Sequence, residues 1–218
     1  FLVLYEHSAF LQSVAATDNQ FAAAAALDSL TQSGSSLALY NTIAFQTSVA
    51  QARSAFEQLA GDSYASVKTG LIESAHLTTD AITARLRDDV NADGEAKSAV
   101  WVSGFGSWID HNANGNAGNL KTSTGGVLAG ADLDLGGVRL GLAAGYSQSD
   151  LKMKRRAATA DSNNWHLGIY AGKKWNALGL RAGLTHTWHS IDLSRSVAFA
   201  GFSNDLDSDF KAKTLQAF

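Results

Sequence analysis

From Ser98 to Phe218 the chain alternates apolar residues with small or polar ones in segments of strand length. Side chains alternate between the two faces of a β-strand, so each segment has one apolar and one polar or glycine-rich face. The same alternation recurs over residues 125–135, 138–149, 165–174 and 178–188. It predicts an antiparallel sheet with one apolar face. Over 101–108 the two faces are equally mixed, and the facing of that strand stays open.

The connections between these segments are short at one end and long at the other. Gly136 and Gly137 alone separate two segments, and residues 175–177 separate two more, lengths that suit hairpins. Long loops are predicted over 111–120, 150–163 and 190–208. A soluble sheet also alternates, but this asymmetry, with segments of about ten residues, is typical of outer-membrane barrels.

The residues before Ser98 have helical spacing instead. Ala22–Leu30 is rich in alanine, and apolar residues recur at helical intervals over 49–59. A further helix has only a thin apolar stripe, made of Leu71, Ala75, Ile82 and Leu86. Such a stripe would anchor a helix poorly on a globular surface, but it suits a helix threaded through a polar lumen. A short strand is predicted at Leu2–Tyr5.

Composition limits the functions without choosing one. The formal net charge of -3 gives no basic excess that would favour nucleic acid as a partner. The absence of cysteine excludes a disulfide framework and thiol-based metal sites. Mean hydropathy is -0.06, and no run reaches the roughly 18 apolar residues of a membrane helix. Phe1 is not an initiator methionine, which indicates a fragment or a processed product.

Motifs for catalysis or metal binding are weak. Residues 89–94 and 110–115 begin like calcium loops, but Val100 and Lys121 occupy the position of the bidentate glutamate. His186 and His189 are three apart, a spacing that puts them on opposite faces of a strand. Nucleophile-elbow, phosphate-loop, dinucleotide and zinc-protease motifs are missing. We therefore expect no enzyme activity, no metal and no cofactor.

Several stretches, in order and spacing, resemble the C-terminal translocator of type Va autotransporters, proteins of Gram-negative bacteria. They lie at 17–20, 22–30, 51–66, 101–108 (WVSGFGSW), 125–132 (GGVLAGAD), 140–147 (LGLAAGYS), 166–172 (HLGIYAG) and 184–195 (LTHTWHSIDLSR). The resemblance implies a mainly β fold: an N-terminal helical linker and an antiparallel transmembrane β-barrel with an α-helix in its lumen. About six of the family's twelve strands are present, so the chain either stops short of the native C-terminus or is completed by another molecule.

The resemblance also implies function and partners. The protein would export or anchor an N-terminal passenger at the surface of the bacterial outer membrane, by type V secretion. Residues 1–20 would be a passenger tail or the start of the linker, 21–97 the helical linker with the lumen helix, and 98–218 the partial barrel. Partners would be outer-membrane lipid, lipopolysaccharide, the passenger, the barrel-assembly machinery and periplasmic chaperones.

Three groups of candidate residues follow from the predicted topology. Charges on the polar face, which would line the lumen, are Asp132, Asp134, Arg139, Lys174 and Arg181. Candidates for interfacial aromatic girdles are Tyr146, Trp165, Trp175 and Trp188. The one dense basic run, a candidate lipopolysaccharide contact, is Lys152, Lys154, Arg155 and Arg156. For the aromatic residues the simpler interpretation is ordinary packing, and for the basic run it is a solvated loop.

Two other interpretations remain open. One is a soluble antiparallel β interaction domain with a helical arm, which would associate through its open strand edges. The other is a half-barrel assembly intermediate bound to the barrel-assembly machinery. Six strands with unpaired edges cannot stand alone in lipid, where every backbone polar group needs an internal partner.

Overall fold

A computed structural model describes residues 11–31, 33–91, 98–154, 157–175 and 178–218, with the backbone alone at 88–91. The helical elements are a 3₁₀ turn at Leu11–Val14, α1 (Asp18–Asp28), α2 (Gly34–Ala44), α3 (Val49–Leu59) and α4 (Asp62–Asn91). The strands are β1 (Ser98–His111), β2 (Leu120–Asp134), β3 (Val138–Met153), β4 (Ala158–Trp175), β5 (Leu178–Phe199) and β6 (Phe202–Ala217). Outside the described residues lie the predicted strand at Leu2–Tyr5, the side chains of the 89–94 loop, and Arg155 and Arg156.

The six strands form one antiparallel sheet in sequence order, β1 to β6. The sheet curls around α4, which contacts all six strands. The predicted fold class, a mainly β chain with an N-terminal helical segment, is confirmed. None of the helices that the structure describes is both long and apolar enough to cross a lipid bilayer.

Local sequence sets where several elements begin. Thr17 and Ser48 precede α1 and α3, and each hydroxyl accepts a hydrogen bond from the backbone N–H three residues later. The helices predicted around 22–30 and 49–59, and the long helix with its thin stripe, are present as α1, α3 and α4. Helix α2 was not predicted, because its Gly-Ser-Ser start and β-branched Thr42 and Ile43 are poor helix formers.

The hairpin between β2 and β3 has the expected two-residue turn. Leu135 and Val138 exchange backbone hydrogen bonds of 2.9 and 3.3 Å across it. Gly136 and Gly137 both have positive φ, 64° and 79°. Two left-handed residues give a turn whose twist matches the strands, and glycine adopts this conformation without steric cost.

At the opposite end, two of the three predicted loops are wrong. Strand β3 continues to Met153 and β4 starts at Ala158, while β5 continues to Phe199 and β6 starts at Phe202. The predicted loops over 150–163 and 190–208 are therefore hairpins with long strands and short turns. Only the loop between His111 and Leu120 is confirmed.

The error has a physical cause, an inversion of the strand pattern. In the middle of the sheet the large apolar side chains point outward and are exposed, as at Leu142, Leu167 and Ile169. Beyond Asp150 the apolar side chains point inward and are buried, as at Leu151 and Ile191. Outward positions there carry exposed polar residues. A strand that changes its apolar face breaks the alternation that was used to find it.

This outer part of the sheet, named the collar, has its own apolar core. Its buried residues are Leu120, Leu151, Met153, Ala158, Ala160, Ile191 and Leu193 from the strands and Val67 and Leu71 from α4. The first half of α4 is thus held by hydrophobic packing of the kind found in water-soluble proteins.

The 3₁₀ turn and α1–α3 pack together as a unit, named the helical bundle. Its buried core is made of Leu11, Ala24, Leu27, Tyr40, Ile43, Ala52, Ala55 and Phe56. Phe199 from β5 packs against this core, so the bundle rests on the collar. Burial, with a further contribution from the charge of Asp28, raises the pKa of the Tyr40 hydroxyl above its ordinary value.

The sequence left open which face of strand β1 points inward, and the structure gives this strand a definite orientation. Trp101 is buried against the side that α4 fills, whereas Val102 and Trp108 are strongly exposed on the outer face. Residues Trp101, Ser103, Phe105 and Ser107 therefore share the inner face.

The positive φ of the β2–β3 turn can be tested by adding one methyl group. Gly137→Ala should lower the free energy of unfolding by about 1 kcal/mol, because a side chain disfavours the left-handed conformation. Gly125→Ala is the matched control, since that glycine has ordinary φ and open space around its Cα. Urea titration of the full-length protein in detergent micelles would measure both. Equal effects would contradict the turn assignment.

Candidate functional site

The candidate site is the space enclosed by the curved sheet on the side of α4, named the lumen. Inward side chains of the middle strands are mostly polar or absent, apart from a few apolar ones such as Trp101 and Leu128, and α4 runs through the space they leave. Along α4 lie the apolar collar, a belt of uncharged polar groups and, near the β2–β3 turn, a charged cluster next to a second apolar cluster that contains Ile82 and Leu86. What this site can do depends on how each of these parts holds the helix.

The charged cluster is centred on Asp132. Both carboxylate oxygens accept from Arg85 of α4, at 3.0 and 3.1 Å, and Oδ1 also accepts from Arg139 at 2.7 Å. The Tyr170 hydroxyl donates to Oδ2 at 3.0 Å and accepts from the indole of Trp101 at 2.7 Å. The Asp132 side chain is fully buried, so two guanidinium groups and one phenol replace its water.

The polar belt contains a buried imidazole bonded on both sides. In His166, Nε2 lies 2.9 Å from the Ser147 hydroxyl, and Nδ1 lies 2.9 Å from the hydroxyl of Thr187 and 3.3 Å from that of Thr78. Thr78 belongs to α4, Ser147 to β3 and Thr187 to β5, the two strands that flank His166 in β4. His166 therefore joins the helix to the wall through hydrogen bonds to hydroxyl groups.

The belt continues across the sheet through Asn164. Its amide nitrogen donates to Ser149 at 3.2 Å, and its amide oxygen lies 2.7 Å from Nδ1 of His189. The other ring nitrogen of His189 lies 2.9 Å from the Thr214 hydroxyl in β6. These groups satisfy one another, as buried polar groups must. They link strands β3, β4, β5 and β6 across the inner face of the sheet.

Small residues let α4 approach the wall closely. A Cβ added at Gly70 would lie 2.5 Å from Cδ2 of Leu151 and 3.0 Å from Oγ1 of Thr122. Lower down, a Cβ on Gly168 or Gly172 would lie 3.1 or 3.0 Å from Ile82 or Leu86 of the helix. The lower part of the thin apolar stripe of α4 thus packs on inward glycines. Ile82 and Leu86 also share a buried apolar cluster with Trp101, Leu128, Ala143 and Tyr170.

The predicted lumen charges are only partly brought together. Asp132 and Arg139 meet, as described above, but Asp134 accepts a 2.8 Å hydrogen bond from the backbone N–H of Gly137 in the turn. Lys174 lies exposed near the end of β4. Arg181 is half-buried, and its Nε has no hydrogen-bond partner among the described residues.

The aromatic candidates lie on the outer face at two levels. Tyr146, Trp165 and Trp188 share one register row across β3, β4 and β5, and the first two rings are 5.1 Å apart. Trp175 lies at the other end of β4, with the Lys173 ammonium 5.1 Å from its ring centroid. Trp108, which is 82% exposed, was missed because the facing of β1 was open.

The basic run does not stand on a uniformly basic surface. Lys152 and Lys154 are exposed at the outer end of β3. Next to Lys152, register pairing aligns four exposed aspartates across four strands: Asp150, Asp161, Asp192 and Asp209. Within the described part of the chain, no three His, Asp or Glu side chains are grouped closely enough to hold a metal ion.

Sequence reasoning missed the partners that complete the lumen network. Arg85, Tyr170, Trp101 and His166 were not chosen as candidates, although Tyr170 and His166 alternate with apolar residues in the same way as Asp132. The alternation of side chains between the two faces of a strand could have identified Tyr170 and His166. Arg85 could not be paired in advance, because the rotation of α4 relative to the sheet is set by packing.

The chain is similar to known proteins in three comparisons. The family model described as "Autotransporter beta-domain" matches residues 100–218. Two relatives named "Extracellular serine protease", both from Serratia marcescens, are 36% and 33% identical over 189 residues, 83% of this chain. The chain spans only 18% of their length. Among solved structures, the translocator domain of autotransporter NalP from Neisseria meningitidis matches with a TM-score of 0.46 and 14% identity, over 66% of this chain and 51% of that one.

Removing the central carboxylate charge should loosen α4. Asp132→Asn leaves two guanidinium groups facing a neutral amide, and we expect the free energy of unfolding to fall by about 3 kcal/mol. Urea titration in micelles measures this loss, and single-channel conductance in planar bilayers should rise as the helix moves. Asp205→Asn, at an exposed position of β6, is the control. Unchanged stability and conductance would contradict a holding role for Asp132.

The close approach at Gly70 gives a second prediction for the same site. Gly70→Val should lower the free energy of unfolding by about 2 kcal/mol, because the branched side chain overlaps Leu151 and Thr122. Thr69→Val, one residue earlier and exposed, should change it little. Thermal unfolding in micelles, followed by circular dichroism, measures both variants. Equal effects would show that α4 does not pack against the wall at Gly70.

Proposed function

The chain belongs to the autotransporter β-domain family and is an outer-membrane translocator, and from that premise we propose how it holds and exports its passenger. Residues 98–218 form part of the barrel wall, α4 is the segment of the passenger connection that stays in the lumen, and the passenger lies at the cell surface. The Arg85–Asp132–Arg139 cluster is the observation that supports this proposal. It fixes α4 to the wall through ion pairs whose carboxylate is fully buried.

The orientation follows from the place of the passenger. The passenger precedes α4 in the chain, so the end of the lumen where α4 begins faces the cell surface. The helical bundle, the collar and the 112–119 loop then lie outside, and the β2–β3 turn lies on the periplasmic side. This arrangement gives short periplasmic turns, as in other outer-membrane barrels.

A hairpin route fits the uncharged belt. We infer that α4 forms the stationary leg, while the passenger slides past it as an extended chain before the lumen closes around the helix. Neutral Ser, Thr, Asn and His groups can exchange hydrogen bonds with any backbone and retain no particular sequence. The proposed divisions are a passenger tail or linker start over 1–20, a linker with the lumen helix over 21–97, and a barrel from 98.

The passenger is the catalytic part in this proposal. Two relatives are named as extracellular serine proteases, and this chain spans only 18% of their length. We propose a passenger of the same enzymatic class upstream of this region. The translocator itself performs no chemistry, in keeping with a lumen whose polar groups bond to one another.

Membrane contacts follow from the outer face. We propose that Tyr146, Trp165 and Trp188, with Trp108, form the girdle at the outer interface, and that Trp175 belongs to the inner one. Lipopolysaccharide would contact Lys152 and Lys154, with Arg155 and Arg156 of the same run. Because a row of aspartates lies beside Lys152, such contacts would depend on how positive and negative side chains alternate on this surface.

Assembly partners form the last part of the proposal. Strands β1 and β6 are the two edges of the described sheet, and unpaired strand edges are not tolerated in lipid. The barrel-assembly machinery would receive these edges during insertion. Periplasmic chaperones would cover the outward aromatic and aliphatic side chains before then.

The orientation and the export role can be tested with epitope tags in the full-length protein. Tags placed before Leu11 and at Gly115 should be cleaved by protease added to intact cells, because both lie outside. A tag between Trp175 and Leu178 is the control and should be cleaved only after the outer membrane is permeabilised. Protection of the first tag in intact cells would contradict the export role, and exposure of the third would reverse the topology.

A further inference from the structure

We propose that the outer face of β1, β2 and β3 binds the phosphorylated sugar headgroup of a glycolipid. The site, named the headgroup groove, is defined by the indole of Trp108 and the ammonium groups of Lys121 and Lys152. The choice of ligand rests on the proposed function, which places this face in the outer leaflet, where the lipid A part of lipopolysaccharide supplies such a headgroup. Lys154 does not line the groove, so the groove is distinct from that part of the basic run.

Three neighbouring strands build the headgroup groove, whose volume is about 390 Å³. The outward side chains around it belong to Trp108, Asp110, Lys121, Ser123, Asp150 and Lys152. Trp108 and Asp150 both lie opposite Ser123 in the strand register. Asp110 and Lys152 both lie opposite Lys121, one row further from the membrane in the proposed orientation. The groove therefore combines a row that contains an aromatic ring with a row that contains two ammonium groups.

Two cations lie directly opposite each other in this groove. Lys121 and Lys152 are register partners on adjacent strands, a position where like charges repel. Asp110 forms an exposed ion pair with Lys121, whereas the residue beyond Lys152 in the same row is the uncharged Thr159. An ammonium group has three N–H donors, so Lys121 can bind Asp110 and a second oxyanion. A phosphate between the two lysines would bind both and remove their repulsion.

The Trp108 ring lies flat beside the lysine pair. It is 82% exposed, and a Cβ added at Gly106 would lie 3.5 Å from Cη2 of the indole, so the ring covers the backbone there. Gly106 is the register partner of Gly125, which has open space around its Cα. The two glycines leave a floor without side chains on the membrane side of the lysines. A sugar ring can lie there with its C–H groups against the negative face of the indole.

The groove carries both signs of charge, which limits the headgroups that fit it. Asp150 lies in the row of Trp108, on the same strand as Lys152. A carboxylate repels a simple anion, but it accepts hydrogen bonds from the hydroxyl and amide N–H groups of a sugar. A headgroup with a sugar and a phosphate therefore suits both the lysines and Asp150. A phosphate without a sugar, as in phosphatidic acid, would suit the lysines only.

Native mass spectrometry of the full-length protein in micelles can measure the binding of lipid A, which lacks the outer sugars of lipopolysaccharide. Lys121→Gln with Lys152→Gln should weaken binding about tenfold, because both ammonium groups that bind the phosphate are lost. Trp108→Ala should weaken it about fivefold, because the sugar loses its aromatic surface. Phosphatidic acid and dephosphorylated lipid A should both bind the parent protein more weakly than lipid A does.

Matched variants control for charge and for aromatic surface. Lys68→Gln with Lys154→Gln removes two exposed lysines outside the groove, and Trp188→Ala removes another aromatic residue of the same girdle. Both should bind lipid A as the parent does. Lys121→Arg with Lys152→Arg keeps the two charges and should also retain binding, which separates the loss of phosphate contacts from a folding defect.

Equal losses in the two double Gln variants would show a general attraction between charges and would overturn the site. Equal binding of phosphatidic acid and lipid A by the parent, or unchanged binding in Trp108→Ala, would do the same. A failure of the export function looks different, because epitope tags would then place Gly115 on the periplasmic side, whereas binding in micelles does not depend on orientation. If the tags confirm the orientation and the groove variants bind as the parent does, this site alone is wrong.

Discussion

The apolar face of a strand must point toward lipid inside a bilayer and toward a protein core outside it, and this constraint organises the whole chain. Where the wall faces lipid, Leu142 and Ile169 point outward and the inner face is mostly polar or small. Where the same strands rise beyond the row of Asp150, Leu151 and Ile191 point inward around α4. One continuous wall therefore provides two environments for one helix. The upper half of α4 is held by apolar burial, and the lower half by hydrogen bonds, charge and a second apolar cluster around Ile82 and Leu86.

This division explains why the lumen can be polar and still hold a helix firmly. At the level of Asp132 apolar burial is only part of the hold, since Leu86 packs in a buried cluster with Trp101 and Tyr170. A buried carboxylate between Arg85 and Arg139 adds a few directed bonds to α4. The uncharged belt above it, centred on His166, adds neutral contacts. Inward glycines such as Gly168 leave room for the apolar stripe of the helix.

The sequence predicts the membrane-level part of this fold well and the outer part poorly. Alternation and the paired glycines at 136–137 were enough for strands β2 to β5 and their order, because lipid imposes one strict rule on every strand. At the collar the rule reverses, so the alternation predicts loops where the structure has strands, at 150–153, 158–163, 190–199 and 202–208. The reversal was nevertheless visible in the printed residues: Leu151 and Met153 continue an alternation, in the opposite phase.

The same limit applies to the lumen. Strand parity identified Asp132 and Arg139 as members of the polar face, but parity cannot say which of these charges meet. Asp134 lies two residues from Asp132 on the same face, yet it binds the turn rather than the helix. The difference depends on how deep α4 enters and how it is rotated, and those are fixed by Gly70 against Leu151 and by the collar core above. The position of the ionic cluster is therefore a consequence of apolar packing, partly at the collar about four to five helical turns away and partly beside it at Ile82 and Leu86.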